Sequence, residues 1–136
     1  MTSKIAIVPP VMQEIVERAG YLPAVQAGDF LFCAGQVGRD DELAVIADPE
    51  QQFERCWENL RTVLAEGGCS FDDVVEMTTF HVGLQTHMPL FRQVKDRHFP
   101  RGTCAWTCVG VVELAIPGLL AEVKCVAIKQ PTHATR

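Results

Sequence analysis

Apolar positions recur along this chain with two periods. Phe53, Cys56, Trp57, Leu60, Val63 and Leu64 follow the three-and-four spacing of a helix with one buried face. Asp48 suits the N-cap, Pro49 the first helical position and Gln51 the place of a capping-box partner, while Gly67-Gly68 closes the run. The spacing therefore predicts a helix over Pro49 to Glu66, each large buried side chain contributing about 1.5–3 kcal/mol, with Trp57 as core. A second helix is expected from His87 to His98, capped by Thr86, with Pro89 tolerated in its first turn and Met88, Phe91, Val94 and His98 along one side. Pro100-Arg101-Gly102 ends it. A turn or two of helix fits Val11 to Ala19, stopped by Gly20.

The other period is two. Ile5 to Val8 is an edge strand halted by Pro9-Pro10, since proline lacks the donor a central strand needs. Ala24-Val25 and Phe30 to Ala34 flank Gly28-Asp29, a natural hairpin, and Gly35 to Gly38 continue as a strand leaving the core. Arg39 to Ala47 is a polar, acidic surface loop. After a turn at Ser70 to Asp73, Val75, Met77, Thr79 and His81 alternate with Val74, Glu76, Thr78, Phe80 and Val82. His81 is read as a hydrogen-bonded structural group, with catalysis as the alternative. Ala105 to Val111 and Leu119 to Ile128 look like buried strands, and Pro117-Gly118 fits a type II turn joining them as a hairpin. On the first, Trp106 and Cys108 share a face, which suits either a site or core. On the second, Ala121, Val123, Cys125 and Ala127 suit packing under helices. Leu120, Glu122, Lys124 and Val126 mix apolar and charged groups, as a cleft or a subunit interface would.

The order of elements predicts an α+β fold in one domain spanning 1–136: a mixed sheet with two main helices on one face. A second copy of the chain is expected to cover the other. Composition agrees: 136 residues, 48% hydrophobic and 21% charged, are enough for one self-sufficient core. A net charge of -5 argues against a nucleic-acid partner, since no run of Lys and Arg offers a basic patch and the tail from Lys129 to Arg136 is only weakly basic. Six cysteines show neither a Cys-x-x-Cys pair nor zinc-finger spacing, so no metal is expected. The short apolar run near the N-terminus falls short of a signal peptide, and no stretch approaches a membrane span, so the expected compartment is the cytoplasm.

Four stretches, in this order and spacing, carry a resemblance: Ala27-Gly28-Asp29-Phe30-Leu31-Phe32-Cys33-Ala34-Gly35-Gln36, Gly68-Cys69-Ser70-Phe71-Asp72-Asp73-Val74-Val75, Thr107-Cys108-Val109-Gly110-Val111 and Leu120-Ala121-Glu122-Val123. Together they resemble the RidA/YjgF family of small enamine and imine deaminases over nearly the whole chain. The resemblance implies a chorismate-mutase-like fold, a homotrimer with clefts between subunits, a small-molecule ligand, and hydrolysis of reactive imines to a 2-oxo acid and ammonia without a cofactor. Carried over residue by residue, Glu122 matches the family's strand glutamate near the attacking water, Cys108 its cysteine and Gly35 the glycine before its glutamine; Tyr21 matches an aromatic at the cleft mouth.

The sequence departs from the family at one functional position. The arginine that binds substrate carboxylate, directly before the strand hydroxyl Thr107, is Trp106 here. A small hydroxyl residue is replaced by Ala34, and a helix asparagine by Arg92. An indole has one donor and no charge, so it cannot replace a bidentate guanidinium, whose charged hydrogen bonds are worth about 1.5–3 kcal/mol each. This variant is similar to a divergent, YjgH-like branch. Arg92 or Arg101 either reaches the cleft and binds an anion from a new direction or stays solvated. Three functions follow from the resemblance: a deaminase with altered substrate preference, a non-catalytic metabolite-binding trimer, and an endoribonuclease, which the acidic charge disfavours. Through the resemblance Cys108 joins Glu122 as a candidate catalytic residue; a reactive thiol is one reading, and an inert one, as for a buried cysteine without a His or Lys neighbour, is the other.

Overall fold

The computed structural model of the chain describes residues 3–131; most of the weakly basic tail lies outside them. Six strands form one sheet in the order β1-β2-β3-β6-β4-β5. They are β1 (Lys4–Ile7), β2 (Ala24–Ala27), β3 (Phe30–Val37), β4 (Val74–Val82), β5 (Ala105–Val111) and β6 (Ala121–Ile128). Three helices accompany it: α1 (Gln13–Ala19), α2 (Pro49–Glu66) and α3 (Leu84–His98).

Helix α2 has the predicted boundaries because its ends are chemically specified. The Asp48 carboxylate accepts the Gln51 N–H at 3.0 Å, and Gly68 takes a positive φ of 79° just past the last turn. Its stripe of Phe53, Cys56, Trp57, Leu60, Val63 and Leu64 is wholly buried against the sheet and α3. Phe91 of α3 meets Phe53 edge-on at 5.3 Å, and Trp57 packs on Phe91 and Phe99. On the sheet side, Ala121, Val123, Cys125 and Ala127 are buried on one face of β6, as the alternation predicts.

Three expectations require correction. Helix α3 begins at Leu84 rather than His87; Gly83, with φ 66°, supplies the left-handed entry, and Thr86 lies inside the first turn. Next, β5 and β6 are not a hairpin. The α3 crossover returns the chain parallel to β4, so β5 becomes the outer edge, and β6 inserts antiparallel between β3 and β4. With no neighbour on its far side, β5 is mostly exposed rather than buried. Finally, Val74 pairs with Ala127 and Glu76 with Val126, leaving Val75 as the extra residue of a bulge. Val74 is therefore buried and Val75 exposed, while Met77, Thr79 and His81 share one face as the alternation predicts, and that face is the buried one.

A buried glutamine ties the loops to this frame. Gln52 donates to Ile46 O at 2.9 Å and Gly118 O at 3.0 Å, and accepts the Leu120 N–H at 2.7 Å. Asn59, two turns on, donates to Val37 O and Arg39 O. One helix thus fixes both the end of β3 and the entry to β6. Among the described residues no helix is long and apolar enough to cross a membrane.

Candidate functional site

Of the residues singled out in the sequence, Tyr21, Gly35 and Glu122 line one recess and Arg92, Arg101 and Trp106 another, on opposite faces of the sheet. The first is a cleft of about 360 Å³ lined by Tyr21, Gly35, Val37, Arg39, Ile116, Leu119 and Glu122, among others. Its centre is a bulge. Cys33 pairs with Cys125 and Gln36 with Val123, so β3 carries one residue more than β6 between those pairs. There the Glu122 carboxylate lies over Gly35, where a Cβ would come within 2.0 Å of Oε2. Only glycine leaves that space, the close backbone approach that an isolated strand glycine signals. Burial pushes the Glu122 carboxyl above the ordinary carboxylate range, opposed by Lys124 and Arg39. A carboxylate held closer to neutrality, in a largely apolar recess, is suited to taking up and returning a proton.

Ala34 flanks this cleft without lining it; its N–H is bonded to Pro23 O at 2.9 Å. Arg39, read from the sequence as the start of a surface loop, lines the same recess as Glu122. Nothing in its local pattern marks it, since the placement depends on the β3 end that Asn59 holds.

The second recess, about 170 Å³, lies between α3 and β5 and is lined by Arg92, Lys95, Asp96, Arg101, Gly102 and Trp106. Both arginines weighed in the sequence border it. Trp106 turns toward the helices, because its partner across the parallel ladder is the inward-facing Met77. Its Nε1–H donates to Thr79 Oγ1 at 2.9 Å, and the Thr79 hydroxyl also bonds His81 Nε2 at 2.7 Å. Burial lowers the His81 pKa, so His81 is a neutral group behind Trp106, with Nδ1 unpartnered among the described residues. Lys95 was missed in the sequence, although it stands four residues after the buried Phe91 and hence on the same stripe.

Thr107 and Cys108 are exposed on the edge strand and line neither recess. The expectation of a buried Cys108 fails because β5 has no strand beyond it. On the face away from the helices, Phe30 and Phe32 are 42% and 48% exposed and Val109 38%, an apolar surface the protomer itself does not cover. Among the described residues no three His, Cys, Asp or Glu side chains gather closely enough to hold a metal ion.

A family model described as Endoribonuclease L-PSP matches residues 11–129. The chain is 33% identical to the RutC family protein YjgH of Escherichia coli over 128 residues, covering 93% of this chain and 96% of that protein. A RutC family protein of Pyrococcus abyssi is 31% identical, with 81% and 87% covered. Among solved structures, Protein YJGH superposes with a TM-score of 0.87 at 32% identity, covering 95% of this chain and 98% of that one. Yeast Mmf1, at 23% identity, shares the fold with a TM-score of 0.80, covering 94% and 100%.

Proposed function

The chain belongs to the Endoribonuclease L-PSP family, which is the RidA/YjgF family, and from that premise we propose that it is a homotrimeric, cytoplasmic deaminase of a reactive enamine or imine metabolite. Its substrate preference is altered because Trp106 stands where the family binds carboxylate with arginine. One observation carries this reading: residues that the resemblance assigns to a single cleft lie in two recesses on opposite faces of one protomer. Glu122 and Trp106 cannot share a ligand there. A neighbouring copy, seated on the uncovered face bearing Phe30, Phe32 and Val109, unites the Glu122 recess of one subunit with the Trp106 recess of the next.

Within that cleft the chemistry is hydrolytic. Water adds its oxygen to the imine carbon as Glu122 accepts the proton, turning C=N into an amine. The proton passes to nitrogen, giving a carbinolamine; Glu122 then takes the hydroxyl proton and returns it to the amine as the C–N bond breaks and C=O forms, releasing ammonia. Arg39 beside Glu122 holds negative charge on the substrate, while the Trp106 indole gives an apolar wall.

A non-catalytic metabolite-binding trimer is the second reading, favoured by the uncharged indole at the arginine position. The two part on ammonia release from a panel of enamines: turnover that vanishes in Glu122→Gln supports the enzyme, and tight binding without turnover supports the sensor. Endoribonuclease activity, as the family's description has it, sits poorly with the net charge of -5. It requires RNA cleavage by nuclease-free protein that falls with salt as phosphate contacts dictate.

A further inference from the structure

The recess at Trp106 contains a charge problem that the protomer leaves unsolved. Arg92, Lys95 and Arg101 line it with Asp96 as the sole acid, three positive charges against one negative, a balance of +2. Ion pairs among the described residues involve Arg18, Arg55, Arg97 and His98, so none of these three cations is paired. Lys95 is the sharpest case. It is only 8% exposed, its ammonium makes no hydrogen bond among the described residues, and it lies 4.7 Å from the Trp106 ring centroid and 5.2 Å from that of Phe99. A lysine buried to that degree is normally paired, because desolvating an ammonium is costly. Two aromatic faces compensate in part. Lys95 lines the recess together with the two arginines.

We propose that this recess binds a small dianion, two carboxylates or a phosphate monoester, held by Arg92, Lys95 and Arg101 against the Trp106 indole. The proposal rests on the reading of this recess as part of the substrate cleft, and it names the substrate class: a metabolite with two negative charges instead of the single carboxylate that the family's one arginine serves. A monoanion leaves one positive charge uncompensated, whereas a dianion matches the balance of +2. Within one protomer the recess measures about 170 Å³, the scale of a compact acidic group. Burial draws the Lys95 pKa down, opposed by Asp96 and reinforced by Arg92 and Arg101, so a bound anion stabilises its charged form. Guanidinium forks supply the bidentate geometry that carboxylate and phosphate require.

The test is equilibrium binding of malonate, inorganic phosphate and acetate to the full chain at constant ionic strength, read by tryptophan fluorescence. Trp57 is wholly buried and gives a constant background, whereas Trp106 faces the ligand. Malonate or phosphate is expected to bind at least tenfold tighter than acetate. Arg92→Gln with Arg101→Gln, both exposed positions, should weaken that binding at least tenfold and remove the preference while circular dichroism stays that of the parent. Equal affinity for all three anions, or a double variant that binds as the parent does, overturns the proposal. Binding is also measured in Glu122→Gln. Dianion binding without turnover of any enamine removes the deaminase reading alone, and turnover with no dianion preference removes this inference alone.

Discussion

Replacing Gln52 by leucine keeps the side-chain volume and deletes three hydrogen bonds at once, those to Ile46 O, Gly118 O and the Leu120 N–H. At about 0.5–1.5 kcal/mol net for each bond, the loss lies within roughly 1.5–4.5 kcal/mol. Gly118 is exposed and its carbonyl regains water, but the Leu120 N–H, at the entry to β6, faces leucine and has no substitute acceptor. The expected cost is therefore about 3 kcal/mol, which for a chain of this size lowers the melting temperature by roughly 10 °C. Urea unfolding at fixed protein concentration measures it, because oligomers make apparent stability concentration-dependent. The midpoint should fall with the slope unchanged. The same bonds hold the backbone on either side of Leu119, which lines the Glu122 cleft, so ligand affinity there should fall as well. A loss below about 1 kcal/mol with parental ligand binding would refute the idea that Gln52 organises both loops.

Gly35→Ala places a methyl on the Glu122 carboxylate, so ammonia release should drop at least tenfold while the protein still folds; parental activity would show that the Glu122 position over Gly35 is irrelevant. The Glu122 carboxyl is raised by burial, so the folded state binds its proton more tightly than the unfolded state, and stability falls as pH rises from about 4.3 through the raised value. Glu122→Gln should therefore be more stable than the parent at pH 7 even as turnover disappears, which thermal melts across pH will read. Glu54 has the opposite sign: partial burial raises its pKa, but hydrogen bonds with His98 and Arg97 outweigh that and lower it. Its contribution is complete above about 4.3 and is lost as pH falls through the lowered value, so Glu54→Gln should flatten the acid limb of the stability profile. Trp106→Phe removes the Nε1–H donated to Thr79 while keeping a ring beneath Lys95, and should cost about 0.5–1.5 kcal/mol by urea unfolding.

Local chemistry accounts for what was legible in the chain itself. The α2 boundaries follow from Asp48, Pro49 and the glycine pair, and the buried face of β6 from strict alternation; both depend on residues within a turn or a strand of one another. The β2–β3 hairpin is equally local, with Gly28 at φ 60°. The resemblance of the four motifs likewise extended to the family and its α+β fold. What the pattern alone misjudged was strand order. Whether an apolar run such as Ala105–Val111 is central or at the edge depends on which other strand lies beside it, and the α3 crossover, not the Pro117-Gly118 turn, decides that.

The chemistry of the candidate site divides in the same way. Glu122, Gly35 and Trp106 stand out in the sequence because their residue types and motif positions say what they can do. Arg39 and Lys95 are ordinary cations in sequence, one at the start of a loop and one on a helix. Only packing brings Arg39 into the cleft of Glu122 and lays the ammonium of Lys95 on the Trp106 ring with no ion-pair partner among the described residues. Periodicity and capping act over a few residues and are written in the chain. Charge balance in a recess is a sum over side chains from distant segments, and it exists only once the fold has placed them together.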